Sequence, residues 1–172
     1  MRIERCKGVY EPEDDSYLLM GIEEIRGSLL EIGCGTGIVG LSYAERGLNV
    51  TAIDLSEKAV RCTRKNALDN GVKVNVVRTN LFEGIKGRFD YCIFNPPYLP
   101  ADPPDDGAWT GGRRGNEIII SFLRAFKQFA DVAFYIESSL SPVPREMFGE
   151  LKLEEVRKIT YDFENLKLIR VS

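Results

Sequence analysis

The chain has 172 residues, of which 44% are hydrophobic and 28% charged, and a formal net charge of −3. That length suffices for one domain, residues 1–172, with a hydrophobic core of its own. No apolar run is long enough to span a membrane, and the N-terminus lacks the apolar segment of a signal peptide, so we expect a cytoplasmic protein. The acidic balance disfavours nucleic acid as the direct substrate, because binding phosphates usually requires a basic surface.

Histidine is absent, and the few cysteines are scattered along the chain. The lack of histidine excludes Ser-His-Asp triads, histidine general bases and histidine metal sites. The cysteines are Cys6, Cys34, Cys62 and Cys92. They contain no Cys-x-x-Cys pair, so we expect reduced thiols in a reducing cell and no metal site in this chain.

The N-terminal segment, residues 1–27, is predicted to contain a helix capped by Asp14 or Asp15. Its apolar side would be formed by Tyr17, Leu18, Ile22 and Ile25. The lead-in, Tyr10-Glu11-Pro12, is semi-rigid and more polar than a cap requires. The segment is therefore either a helix that only packs on the domain or one that also covers a ligand.

Predicted strands and helices alternate along the remaining chain. The predicted strands are residues 28–32, 49–54, 73–78, 89–94, 132–136, 153–161 and 166–171. The predicted helices are residues 38–46, 56–70 and 116–129, with a short one at 144–151. This alternation predicts an α/β, Rossmann-like fold in which a seven-stranded, mostly parallel sheet has helices on both faces and binds ligands at the carboxyl ends of its strands.

A glycine-rich loop, residues 33–37, joins the first strand of this sheet to the helix that follows. Such a loop brings backbone close to a nucleotide-like ligand, and Asp54, which ends the second strand, is placed to accept hydrogen bonds from both ribose hydroxyls. Residues 35–40 also read Gly-x-Gly-x-x-Gly, which fits a dinucleotide site. Glu31, just before the loop, favours a cationic ligand such as S-adenosylmethionine over a pyrophosphate.

Asn95-Pro96-Pro97-Tyr98 follows the fourth predicted strand. Neither proline can donate to a sheet ladder, so the strand must end in a stiff corner. The Asn95 side-chain oxygen and the Pro96 carbonyl can accept the two N–H bonds of a planar amide or amino group, while the Tyr98 ring lies against its face. We predict that these four residues bind the substrate and hold it for catalysis.

Residues 99–115 form a long irregular segment, which in a compact domain is more often a functional lid than filler. We expect this segment to clasp the substrate, with Trp109 and Arg113 as contacts. Core packing beneath the loop is an alternative for Trp109, and a solvated charge is an alternative for Arg113.

Four stretches together resemble the HemK family, and in particular its short archaeal and eukaryotic branch, which methylates the glutamine of the Gly-Gly-Gln motif in peptide-chain release factors. They are residues 9–19, 33–37, 95–98 and 108–113. The resemblance implies the class I S-adenosylmethionine-dependent methyltransferase fold, S-adenosyl-L-methionine as cofactor, and a heterodimer with a small zinc-binding activator protein. The third strand would be a sheet edge open to that partner.

The resemblance also assigns cofactor contacts to the N-terminal segment, the strand ends and the corner. They are Tyr10, Pro12, Ser16, Glu31, Gly33, Gly35, Gly37, Asp54, Leu55, Asn80, Leu81 and Asn95. Asn80 departs from the family, which commonly has Asp there, although an Asn oxygen can still accept a hydrogen bond from the adenine amino group.

Three alternatives stay open on the sequence alone. The same corner would accept the exocyclic amine of an adenine or guanine in DNA or RNA, although no segment for flipping out a base is evident. Lysine methylation in the same pocket is the second alternative. The third is a non-catalytic subunit that binds the cofactor, against which the intact Asn95-to-Tyr98 corner speaks.

Overall fold

The computed structural model describes residues 1–98 and 112–172. The strands are β1 Ser28–Ile32, β2 Asn49–Asp54, β3 Asn75–Arg78, β4 Tyr91–Phe94, β5 Val132–Ser138, β6 Leu153–Thr160 and β7 Asn165–Val171. The helices are α1 Asp14–Met20, α2 Ile38–Glu45, α3 Glu57–Asp69 and α4 Glu117–Ala125, with short 3-10 helices at Phe126–Gln128 and Arg145–Phe148.

One sheet contains the seven strands of the described residues, in the order β3-β2-β1-β4-β5-β7-β6. The pairs among β1 to β5 are parallel, whereas β7 runs antiparallel to both of its neighbours. The predicted seven-stranded, mostly parallel sheet is therefore confirmed. Its parallel half places the carboxyl ends of β1, β2 and β4 side by side, with β4 in the middle of the sheet.

Successive residues of the central strands pack on opposite faces of the sheet, because side chains alternate along a strand. Leu29 and Ile93 belong to the core cluster that α1 and α2 cover. Leu30 and Cys92 belong to the cluster that α4 covers. Burying each Leu or Ile side chain contributes roughly 1.5–3 kcal/mol, so both helical layers are held mainly by this apolar contact.

The apolar spacing of α4 predicts its buried side correctly. Ile119, Phe122, Leu123 and Phe126 are each exposed by 2% or less. The α-helix ends at Ala125 and a single 3-10 turn completes the predicted span.

The N-terminal helix is shorter than predicted. It is capped at Glu13 instead of Asp14 or Asp15, which both lie in its first turn, and it ends at Met20 before Gly21. The predicted apolar side is wrong for Tyr17, which is 56% exposed. Ile22 and Ile25 are buried as predicted, but they pack on the core from the irregular segment after the helix.

Other boundaries move inward by a few residues. β3 begins at Asn75 and β4 at Tyr91, later than predicted. The amide of Phe89, where the fourth strand was expected to start, donates instead to the Phe129 carbonyl at 2.7 Å. The predicted helix at 144–151 is only the 3-10 turn Arg145–Phe148.

The prediction of four reduced thiols is wrong for two cysteines. Cys6 and Cys62 form a disulfide that spans 56 residues of sequence. Cys34 and Cys92 are free and buried. The sequence carried no sign of the pairing, because it depends on where the N-terminal segment lies on the folded domain.

Residues 2–6 run in extended form along α3. The Asn66 side chain donates to the Glu4 carbonyl at 3.2 Å and accepts from the Glu4 amide at 2.9 Å. Asn70 repeats this exchange with Arg2 at 2.8 Å in both directions. Every second residue of an extended chain thus meets every fourth residue of the helix, since both steps advance about 6 Å. The disulfide between Cys6 and Cys62 is the third contact in this row, after Arg2–Asn70 and Glu4–Asn66.

Candidate active site at the carboxyl edge of the sheet

The glycine loop occupies the end of β1, as predicted. Gly33, Gly35 and Gly37 have φ values of 67°, 54° and 84°, which glycine adopts at low cost. The Cys34 amide donates to the Ile53 carbonyl at 2.9 Å, which fixes the loop against the end of β2. A Cβ atom at Gly33 would lie 3.6 Å from the Asn95 carbonyl oxygen, so the loop and the corner are immediate neighbours.

Asp54 is held between the loop and α3. Its Oδ2 accepts from the Gly35 amide at 3.0 Å and its Oδ1 from the Ser56 amide at 2.8 Å. Burial raises the pKa of this carboxyl, while the two amides act in the opposite direction. The carboxylate is therefore fixed in place, and a carboxylate oxygen can still accept a further hydrogen bond on its second lone pair.

Glu31 is buried beneath the loop, with 4% of its surface exposed. Its Oε2 is fully enclosed and receives no hydrogen bond from the described residues. Burial raises its pKa to about 8, the backbone amide of Gly40 acts in the opposite direction, and the nearby charge of Asp54 adds a smaller increase. A side chain at Gly40 would collide with Oε2, so α2 can approach this strand end only because residue 40 is glycine. A buried acceptor without a donor is costly and points to a ligand group.

The corner supplies a second acceptor of this kind. Asn95 Oδ1 is enclosed and has no donor among residues 1–98 and 112–172. Pro96 is buried, and the two prolines end β4 at Phe94. The Tyr98 hydroxyl donates to Asp15 Oδ2 at 3.2 Å, and the Tyr98 carbonyl accepts from Ser141 Oγ at 2.7 Å. Burial and the charge of Asp15 raise the pKa of the Tyr98 phenol, which therefore stays protonated.

The N-terminal segment lies over the glycine loop. The Tyr10 carbonyl oxygen and Val9 Cγ1 are about 4 Å from where a Cβ of Gly35 would be. The Tyr10 hydroxyl donates to Asp15 Oδ2 at 2.7 Å, and Ser16, at the start of α1, is buried beside it. This position favours the interpretation that residues 1–27 also cover a ligand.

Sequence reasoning missed Asp15 as a member of the site. The only signal available was its place before an apolar helix, which suggested a cap. The residue is 1% exposed, and its partner Tyr98 is 83 positions away in sequence. A contact at that separation leaves no mark on local sequence patterns.

The residues assigned to the adenine lie on the outer side of the same edge. Asn80 is exposed, and its Nδ2 donates to Glu83 Oε1 at 3.2 Å, which leaves Oδ1 as the acceptor of that amide. Leu81 follows with a φ of 45°, and Leu55, after β2, is 58% exposed. Leu55 follows β2 directly, and Asn80 and Leu81 stand two and three residues after the end of β3. Their contact with the cofactor stays a prediction.

The predicted substrate-side contacts are only partly described. Trp109 lies outside the described residues, and Arg113 is exposed in the turn before α4. Buried Asn116 donates to the Pro142 carbonyl at 2.7 Å, next to the Ser141 hydroxyl that holds Tyr98. The turn after β5 therefore holds the corner and the start of α4 together.

The turn after β5 has its own polar support. Glu137 is 3% exposed, and its Oε1 accepts from Arg145 Nη2 at 2.6 Å while its Oε2 accepts from the Val143 amide at 3.2 Å. Arg145 also donates to the Tyr135 hydroxyl at 2.9 Å. Burial raises the pKa of Glu137, and the Arg145 charge opposes that shift. These bonds compensate the buried charge of Glu137, whose role is to hold the turn after β5.

Two classes of feature are not found in the part of the chain that the structure describes. None of its helices has the length and apolar character needed to cross a membrane. Its Cys, Asp and Glu side chains form no group of three or more that could hold a metal ion.

A parallel sheet whose strand ends carry a glycine loop, two acidic residues and a prolyl corner defines a class of protein, the methyltransferases of the class I fold. Solved structures agree in fold. The ribosomal protein L11 methylase of Lactobacillus delbrueckii subsp. bulgaricus has a TM-score of 0.70 and 16% identity, over 94% of this chain and 80% of that one. The Thermus thermophilus 16S rRNA N2 G1207 methyltransferase, crystallised with AdoMet and guanosine, has a TM-score of 0.67 and 19% identity, over 97% and 45%.

Sequence comparisons identify the family. Residues 14–105 match the model described as Methyltransferase small domain. The chain is 32% identical to the putative protein N5-glutamine methyltransferase of Methanocaldococcus jannaschii, over 94% of this chain and 90% of that protein. It is 33% identical to methyltransferase HEMK2 of Homo sapiens, over 88% and 81%. The chain belongs to the HemK family, in its short archaeal and eukaryotic branch, and is a methyltransferase.

Proposed function

We propose that this protein methylates the side-chain amide nitrogen of a glutamine, N5, in the Gly-Gly-Gln motif of a peptide-chain release factor. The observation that carries the proposal is the enclosed Oδ1 of Asn95, which has no hydrogen-bond partner among the described residues and stands on a prolyl corner beside the glycine loop. Two relatives support the substrate. One is named a putative protein N5-glutamine methyltransferase, and a Deinococcus radiodurans protein, 39% identical over 54% of this chain, is named a release factor glutamine methyltransferase.

The residues present suit S-adenosyl-L-methionine as the methyl donor. The enclosed Glu31 Oε2 has no hydrogen-bond partner in residues 1–98 and 112–172, and the ionised carboxylate would offset the positive charge of the ligand. Asp54 would hold the ribose hydroxyls, with the glycine loop against the nucleoside and the N-terminal segment above it. Asn80 and Leu81 would border the adenine. When bound, the cofactor supplies an electrophilic methyl group on a sulfonium sulfur.

The corner prepares the amide nitrogen for attack. An amide nitrogen is a poor nucleophile because its lone pair is delocalised into the carbonyl. Acceptors from Asn95 and Pro96 on its two N–H bonds would fix the direction of the lone pair and stabilise the positive charge that develops on nitrogen. The Tyr98 ring would lie against the amide plane. No dedicated base is needed, because the methylated nitrogen is acidic enough to lose its proton to water.

A base amine in nucleic acid is the second candidate substrate. The chain is 37% identical over 42% of its length to the ribosomal RNA small subunit methyltransferase C of Escherichia coli. An exocyclic amine presents the same planar NH2 group to the corner. The net charge of −3 argues against this candidate.

A small zinc-binding activator protein is the partner that we propose. β3 is one edge of the sheet, where its outer backbone groups can pair with a strand of another chain.

Substitutions at the corner test the catalytic assignment. Asn95→Ala removes the acceptor, so methylation should fall by about a hundredfold or more, as when a single group that stabilises developing charge is lost. Binding of S-adenosylhomocysteine, measured by calorimetry, should be partly kept, because Asn95 is only one of the assigned cofactor contacts. Asn95→Asp restores an acceptor of the same size and serves as the matched variant. Unchanged methylation by Asn95→Ala would contradict the assignment.

A further inference from the structure

We infer that Asp15 is a positioning residue for the transfer site, which sets the Tyr98 ring and ties the substrate corner to the N-terminal cover of the cofactor loop. The inference rests on the proposed function for its kinetic consequence only. The geometry behind it is independent of the substrate.

The buried Asp15 carboxylate accepts hydrogen bonds from several donors. Its Oδ2 accepts from the hydroxyls of Tyr10 at 2.7 Å and Tyr98 at 3.2 Å. Its Oδ1 accepts from the Ser16 amide at 2.5 Å and the Ser16 hydroxyl at 3.1 Å. The side chain forms no salt bridge among the described residues, so these donors help to offset the cost of burying its charge.

The two bonds at Tyr98 fix its ring from both ends. Ser141 holds the backbone carbonyl at 2.7 Å, and Asp15 holds the hydroxyl at the far end of the ring. Pro97 restricts the chain just before it. With both ends held, the position and the long axis of the ring are set before any substrate arrives, which is part of the preorganisation that a contact to a planar amide needs.

The bond to Tyr10 extends this support to the cofactor side. The Tyr10 backbone lies over Gly35, so the same carboxylate oxygen receives one phenol from the cover and one from the corner. A displacement of either phenol changes the bonds of the other. Asp15 is thereby the shared point between the two halves of the site.

A role in helix stability alone does not account for all the bonds of Asp15. An acid in the first turn of a helix stabilises its N-terminus, and the Ser16 bonds fit that role. That role does not require the bonds from the Tyr10 and Tyr98 hydroxyls. Asp14, its exposed neighbour in the same turn, accepts from the Tyr161 hydroxyl at 2.5 Å, whereas the hydroxyls of Tyr10 and Tyr98 donate to Asp15, so Asp14 is the matched control.

The test compares Asp15→Asn, Tyr98→Phe and the double variant on kcat for methylation of the release factor, with the activator present. An Asn has a single acceptor oxygen and cannot receive both phenols and the Ser16 donors. Tyr98→Phe should lower kcat about tenfold, the effect of one hydrogen bond to a charged group, and Asp15→Asn should lower it at least as much, because it also loses other bonds. The double variant should match Asp15→Asn, because that substitution has already broken the bond that Tyr98→Phe removes. Asp14→Asn should keep the wild-type kcat.

The outcomes separate the inference from the proposed function. The inference would be overturned if the loss of kcat in the double variant equalled the product of the two single losses, or if Tyr98→Phe kept the wild-type kcat. The Tyr98→Phe result also tests the inference if Asp15→Asn fails to fold. Fluorine NMR of 3-fluorotyrosine-labelled protein adds a readout without turnover, with the Tyr98 signal assigned by its loss in Tyr98→Phe. That signal should move in Asp15→Asn and stay in Asp14→Asn. If the Tyr98 fluorine signal moves in Asp15→Asn but the wild-type protein does not methylate the release factor, the positioning role stands and the proposed function is rejected.

Discussion

Glu31 and Asn95 each present a side-chain oxygen that is enclosed and lacks a donor in the described chain. Both stand at carboxyl ends of neighbouring parallel strands, β1 and β4. An enclosed acceptor without a donor costs about 1–3 kcal/mol, so two of them on neighbouring strand ends point to a ligand that supplies the donors. The two side chains differ in charge. The carboxylate of Glu31 can bind a cation, and the neutral amide oxygen of Asn95 can accept a hydrogen bond from an amide.

The protonation of Glu31 should be coupled to cofactor binding. Burial raises its pKa to about 8, so at pH 7 most of the free protein carries a proton there. A cationic ligand favours the ionised form, so binding releases this proton and affinity rises with pH up to about 8. Calorimetry at pH 7 in buffers of different ionisation enthalpy should detect the release for S-adenosylmethionine. Glu31→Gln should abolish it, and a buffer-independent enthalpy in wild type would reject the coupling.

The same shift affects the stability of the free protein. The folded pKa of about 8 lies above the unfolded value of 4.5, so the unfolded state loses the proton first as the pH rises. The free energy of unfolding therefore falls between these two pH values. Glu31→Gln removes this loss and should stabilise the unliganded protein by about 3 kcal/mol at pH 7. Urea titrations at pH 5 and pH 7 check this, since the gain should be small at pH 5.

At the scale of elements, the N-terminal strap (residues 2–6) and α3 are joined by the row of contacts that ends in Cys6–Cys62. The strap leads directly into Val9 and Tyr10, which lie over the glycine loop. Fastening the strap therefore limits how far the cover can open. The row depends on Asn66 and Asn70, whose amides each donate and accept.

The disulfide should contribute to stability through the unfolded chain. Closing a loop between residues 56 apart stabilises by about 2–4 kcal/mol in the chain-entropy description. Reduced protein should unfold at lower urea concentration than oxidised protein, and Cys6→Ser should show no difference between the two conditions. In urea without reductant, thiol titration should find only Cys34 and Cys92. Reaction of all four thiols would contradict the disulfide.

At the scale of the whole molecule, much of the site could be predicted because parallel strands end at one edge. Glu31, Asp54 and Asn95 stand at the carboxyl ends of three such strands, so strand assignment alone brings them to one edge. Asp15 and the disulfide could not be predicted, because their partners are far away in sequence and the contacts follow from how the N-terminal segment crosses the domain. Trp109 remains a prediction.

The fold limits which substrates suit the edge. The chain carries a net charge of −3, and β4, which ends in the corner, stands between β1 and β5 in the middle of the sheet. A peptide loop that presents one glutamine can reach such an edge without a basic surface, whereas a nucleic-acid duplex would have to flip out a base. These features favour a protein substrate for the molecule as a whole.

The most direct measurement is labelled methyl transfer from S-adenosylmethionine to a purified release factor, alongside the same factor with the Gly-Gly-Gln glutamine replaced. The zinc-binding partner should be present, and total RNA should be assayed in parallel. We predict label on the intact factor, none on the substituted factor and none on RNA. Label that survives loss of the glutamine, or that appears only on RNA, would contradict the proposed function and leave the fold and family unchanged.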